Sequence, residues 1–88
     1  MTPTAPATQK LSDLKPSQSG VIQDYVSQDE TTERLREMGL VKGTRIEVRR
    51  LAPLGDPMEL TVRGYRLSIR REDAARIIVD SVQGESES

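Results

Sequence analysis

Arg34 to Leu51 reads RLREMGLVKGTRIEVRRL, and these residues hold a helix end, a reversal and the start of a strand. Leu35 and Met38 are three apart, so they share one helical face. Gly39 follows. In the left-handed region, which costs glycine nothing, it would be the first residue past the helix cap. Leu40 would come next and pack on Leu35, the apolar contact of a Schellman stop. Lys42-Gly43 marks a second turn. From Thr44 the period changes to two: Ile46 and Val48 face one way, Arg45, Glu47 and Arg49 the other. The plain structural content is a helix-to-strand connection in a small domain, with no catalytic arrangement in it.

The chain has 88 residues, enough for one small domain with a modest core. It has no Cys and no His. That excludes a disulfide framework and a thiolate metal site, and removes the commonest general base. No apolar run approaches the length of a membrane span, and the opening residues lack a signal-peptide layout. The expectation is a soluble, cytoplasmic protein that does not insert in a membrane. Net charge is −1, unevenly spread: Arg34 to Arg76 carries eleven Lys/Arg against six Asp/Glu. A basic centre between acidic ends suits nucleic acid or an acidic protein surface, or simply a solvated Arg-rich sheet. Only Tyr25 and Tyr65 are aromatic, too few for base stacking, so no nucleic acid is expected.

Taken in order, residues 1–9 are small, polar and proline-containing and are expected to be a disordered tail, as are 83–88. The domain is expected over 10–82. Leu11 and Leu14 fit a single turn that Pro16 stops. Val21 to Val26 reads as a strand. Asp29 or Thr31 begins the helix, which has acids early and Arg34 and Arg36 late. After the central strand, Ala52-Pro53-Leu54-Gly55-Asp56-Pro57 is a stiff loop. Leu54 in its middle either folds back over the core or stands out as a partner anchor. The first is favoured, since apolar residues usually bury.

Met58, Leu60 and Val62 alternate inward, and so do Tyr65, Leu67 and Ile69. The two runs form a hairpin with Gly64 near its tip. Arg71 to Arg76 makes one helical turn, and Ile77-Ile78-Val79 opens the last strand, reaching about Val82. Ile46, Val48, Leu60, Val62, Leu67 and Ile69 should share a core with Leu35, Leu40 and Ile78. The fold class is therefore mainly β: about five strands closed into a small barrel, one short α-helix and one single-turn helix. Gly39, Gly43 and Gly64 are the turn glycines.

Four stretches in order resemble the FeoA family, accessory proteins of bacterial ferrous-iron uptake: LSDLKP at 11–16, MGLVKG at 38–43, APLGDP at 52–57 and RGYRLSIRREDA at 63–74. The chain departs from the family at Ser17-Gln18, where a glycine often follows the proline. The resemblance implies an SH3-like barrel. It implies a partner, the cytosolic GTP-hydrolysing part of the FeoB-type ferrous iron transporter, and a non-enzymatic regulatory role without a cofactor. It associates the family with transition metals, yet the residues present suggest no ligand set. Similar domains end iron-dependent repressors, so the alternative is a small-barrel nucleic-acid-binding or repressor-like regulatory domain. Arg49, Arg63, Arg66 and Arg70 fall on outward phases of the strand pattern. With Leu54 they are the candidate partner-binding residues; the plainer reading is that the arginines solubilise the sheet.

Overall fold

Period-two apolar runs build a sheet only if every strand finds a neighbour, and here the pairing is antiparallel throughout. A computed structural model describes residues 8–84. In order the chain forms β1 (Gln9–Lys10), a 3₁₀ turn (Leu11–Asp13), β2 (Ser19–Tyr25), α1 (Glu30–Glu37), β3 (Arg45–Leu51), β4 (Met58–Val62), β5 (Tyr65–Ile69), α2 (Arg71–Ala74) and β6 (Ile77–Gln83). The six strands are ordered β1-β6-β2-β3-β4-β5. Five strands were expected; the sixth is β1, whose Gln9 and Lys10 pair with Val79 and Ile78. Strand pairing thus reaches from Gln9 to Gln83, one residue beyond each expected boundary. Of the expected tails, residues 1–7 and 85–88 lie outside the described residues. The strand order has β1 and β5 as its two ends, so no hydrogen-bonded closure of the barrel is seen among the described residues.

The inward rows meet as the alternation requires. Ile46 opposes Val62 and Val48 opposes Leu60, all with no exposed surface. Leu11 and Leu14 close one side from the 3₁₀ turn, and Leu35 and Leu40 close another from α1 and its stop. Asp29, not Thr31, is the N-cap: its carboxylate accepts from the Thr32 N–H at 3.1 Å. At the other end the Schellman pair is complete. The Leu40 N–H donates to the Leu35 carbonyl at 3.1 Å and the Gly39 N–H to that of Arg36 at 2.9 Å. Gly39 has φ +99°. Two tyrosines then tie this end to the sheet: the Tyr25 hydroxyl donates to the Leu40 carbonyl at 2.6 Å, and the Tyr65 hydroxyl to that of Met38.

Four sequence expectations need correction. Ile78 is not in the core. Three apolar residues in a row carry no phase, and Ile77 and Val79 are the pair that face inward, opposite Tyr25 and Ile22. Tyr65 shares the face of its partner Val62, but β5 ends the sheet, so the residue stays 43% exposed, with its hydroxyl bonded to the Met38 carbonyl. Leu67 on the same strand is only half-buried for the same reason. Leu54 does not cover the core: it is 96% exposed.

The departure after Pro16 has a structural counterpart. Ser17 sits at φ +77°, a region glycine enters without strain, and its N–H donates to the Val48 carbonyl at 2.9 Å. A Cβ at Gly39 would run into the Tyr65 hydroxyl as well as meet a left-handed backbone. Gly39→Val should therefore lower the chemical-denaturation midpoint clearly, by more than about 1 kcal/mol of stability. Ser17→Gly should move it the other way or leave it unchanged, because relief of strain of about 1 kcal/mol offsets the extra freedom of the unfolded glycine. A midpoint for Ser17→Gly well below wild type would contradict the strain argument.

Candidate docking surface

Four arginines on outward phases would form one face if β3, β4 and β5 were regular. They are not. Val48 pairs with Leu60 but Arg50 pairs with Glu59, so Arg49 is the extra residue of a bulge. Arg63 is in the hairpin turn, not on a strand. With Gly64 it forms the two-residue connection between Val62 and Tyr65, both residues at positive φ, as a type I′ turn demands. Its guanidinium leans back to the Thr44 hydroxyl at 3.3 Å. Arg66 stands mid-strand in a cross-strand row with Thr61 and Glu47. Arg70 follows β5 and pairs with Glu72 at 3.7 Å, both side chains well exposed. The five residues of β5 rise about 17 Å, and Arg63 and Arg70 lie beyond its opposite ends. Glu47 and Glu59 interrupt the cations, and Glu59 pairs with Arg50 at 4.0 Å. The outward face carries mixed charge rather than a continuous cationic stripe for a phosphate backbone.

At the Arg70 end, residues 52–57 form a loop with an ordered backbone. The Gly55 N–H donates to the Ala52 carbonyl at 2.6 Å and the Ala52 N–H to that of Pro57 at 3.0 Å. The Asp56–Pro57 peptide is cis. The Asp56 carboxylate accepts from the Arg71 N–H at 3.0 Å. The Arg71 guanidinium reaches the Gly55 carbonyl at 3.5 Å and the Ser12 carbonyl at 2.9 Å. One side chain thus joins the loop, α2 and the 3₁₀ turn. Leu54 projects from this braced loop into solvent. The turn glycines all have positive φ: Gly39 +99°, Gly43 +86° and Gly64 +88°.

Sequence reasoning did not single out Arg71 or Arg76. Arg76 has its partner 47 residues away: its guanidinium lies 2.6 Å from the Asp29 carboxylate and 3.2 Å from the Ser27 hydroxyl. The Thr32 N–H holds Asp29 below its ordinary value of 3.8, against partial desolvation, and Arg76 adds to the shift. Asp24 is likewise lowered, first by the Tyr25 N–H and then by Lys42, 3.6 Å away. Asp29 thus caps α1 and faces Arg76, and Asp24 pairs with Lys42 near the end of β2. Among the described residues no three Asp or Glu side chains gather as metal ligands, and no helix is long and apolar enough to cross a membrane.

The family model for the FeoA domain matches residues 9–81. The chain belongs to the FeoA family. A curated relative from Porphyromonas gingivalis, named an Fe(2+) transport protein A/Fe(2+) transporter FeoB fusion protein, is 37% identical over 79 residues, covering 90% of this chain. The chain spans only 9% of that relative's length. A solution structure of the FeoA protein from Chlorobium tepidum is 35% identical with a TM-score of 0.77, covering 91% of this chain and 75% of that one. The crystal structure of Stenotrophomonas maltophilia FeoA in complex with zinc is 33% identical with a TM-score of 0.71, covering 86% and 96%. That FeoA is described as a procaryotic SH3 domain protein, and the fold here is SH3-like. The FeoA family is associated with ferrous iron transport. All four stretches that carry the sequence resemblance lie inside the FeoA match, and in the structure they are the 3₁₀ turn, the helix stop, the braced loop and the β4–β5 hairpin with α2.

Because Asp29 is depressed in the folded state, its contribution to stability is full above its unfolded value and is lost as pH falls through the lower folded one. Asp29→Asn keeps a capping oxygen but removes the charge that faces Arg76. Its melting temperature should fall below wild type near pH 6, and the gap should narrow on going down to about pH 2, as the wild-type carboxyl is titrated through its lowered value. Melting curves that differ equally at both values would show that the charge is not responsible.

Proposed function

We propose that this chain is a non-enzymatic accessory protein of ferrous iron uptake, which docks on the cytosolic, GTP-hydrolysing part of a FeoB-type transporter. The observation that carries this reading is the Porphyromonas gingivalis relative, in which a matching stretch is named as part of one polypeptide with the transporter. Fusion raises the effective concentration of two parts that act together, and it has little value for parts that do not meet. The chemistry points the same way. A chain without His or Cys, whose two shifted carboxylates are a helix cap and a strand-end ion pair, is suited to binding rather than to bond-making. In this reading the chain works in the cytoplasm, where the transporter's nucleotide domain lies.

The interface we assign is the loop end of the sheet, Leu54 with Arg49 and Arg70, with Arg66 farther along β5 toward the hairpin as a flanking cation. Arg63, held at the far end by Thr44, contributes at most to the approach of the partner. Exposed arginines act mainly on association rate, so binding should weaken as salt rises without vanishing.

The test is a titration of the transporter's purified cytosolic domain with the protein, with and without guanine nucleotide, at low and high salt. Saturable binding that weakens with salt is expected. Absence of binding up to about 100 μM, beyond which affinity is weaker than roughly 5.5 kcal/mol, would remove the docking reading.

A further inference from the structure

Leu54 is the most exposed of the large apolar side chains among the described residues: 96%, against 50% for Val26 and 43% for Tyr65. Isolated exposed leucines are common and need no explanation when their loop is free. This loop is not free. Its own backbone bonds close it, and Arg71 ties it down at the Gly55 carbonyl and, through the main-chain N–H, at the Asp56 carboxylate. Half-buried Leu51 and buried Met58, where Leu54 could have folded back, are the residues on which the loop starts and ends. Prolines at 53 and 57 and the Arg71 fork hold it in a shape from which Leu54 points outward. The Arg71 guanidinium makes no hydrogen bond within its own four-residue helix. It bonds instead to the loop and to Ser12, 59 residues distant in sequence.

We propose that Leu54 is the apolar anchor of the docking surface and that Arg71 is the positioning residue that keeps it in binding geometry. The inference rests on the docking reading above and names its central contact. The partner would present an apolar socket sized for one branched aliphatic side chain, in the cytosolic part of the FeoB-type transporter. Carboxylates at the socket rim would meet Arg70, whose exposed pair with Glu72 is readily exchanged, and Arg49, which makes no ion pair among the described residues. Held in this way, the loop loses little conformational freedom on binding.

A double-mutant cycle tests this: wild type, Leu54→Ala, Arg71→Gln and the double variant, each titrated against the transporter's cytosolic domain, with melting curves recorded alongside. Leu54→Ala should leave the melting curve unchanged and weaken binding about tenfold or more. Arg71→Gln should weaken it about fivefold, and the double variant should bind no more weakly than Leu54→Ala alone, because Arg71 acts through Leu54. If Arg71→Gln does not fold, Arg71→Lys, which keeps the charge and loses the fork, takes its place. Wild type that binds while Leu54→Ala binds equally well overturns the anchor. Losses that simply add overturn the positioning role. A Leu54→Ala variant that changes sedimentation of the protein alone, with transporter binding intact, puts the socket on a second copy and overturns the assigned partner. Wild type that does not bind at all overturns the docking reading and this inference together.

Discussion

A left-handed residue at position 39 is the constraint on which the arrangement of helix and sheet depends. The eight-residue α1 must end and the chain must enter β3 within a few residues. Only a positive φ lets the Leu40 N–H return to the Leu35 carbonyl while the Leu40 side chain turns inward. With a right-handed residue there, the helix would continue and Leu40 would face elsewhere. Both leucines are buried, so the backbone turn and the apolar contact enforce one another. The Tyr65 hydroxyl occupies the space next to Gly39 that a Cβ would need, so a larger residue there would also have to displace that hydroxyl.

Much of this was legible because it obeys short-range rules. The helix stop, the alternation of Ile46 and Val48 and that of Met58, Leu60 and Val62, and the hairpin about Gly64 are all local patterns with a physical cause. What escaped depends on distant parts of the chain. The phase of Ile77-Ile78-Val79 is decided by pairing with Ile22 and Tyr25, over fifty residues earlier. The partial exposure of Tyr65 follows from the position of β5 at the end of the sheet, which alternation does not encode. The outward arginines looked like a set because a period-two count is blind to a bulge at Arg49 and to a turn that claims Arg63.

The candidate surface was half legible for a similar reason. Two prolines and a glycine announced a stiff loop, but stiffness does not say which way its leucine points. In the structure the loop is bonded to Arg71, whose bonds span three separate segments. Its residue type alone would have counted only as one more surface cation. The same holds for Arg76, which turns the helix cap at Asp29 into a link between α1 and the start of β6.

That link has a consequence for motion. A helix of eight residues does not persist on its own in water, and free ends fray first. Here the N-cap Asp29 is bonded to Arg76, the residue before β6, and just past the helix the Met38 and Leu40 carbonyls accept from Tyr65 of β5 and Tyr25 of β2. Neither end can open without first releasing one of these bonds. Amides of α1 are therefore expected to exchange together with those of the sheet, as one cooperative unit, rather than through fraying of the helix alone.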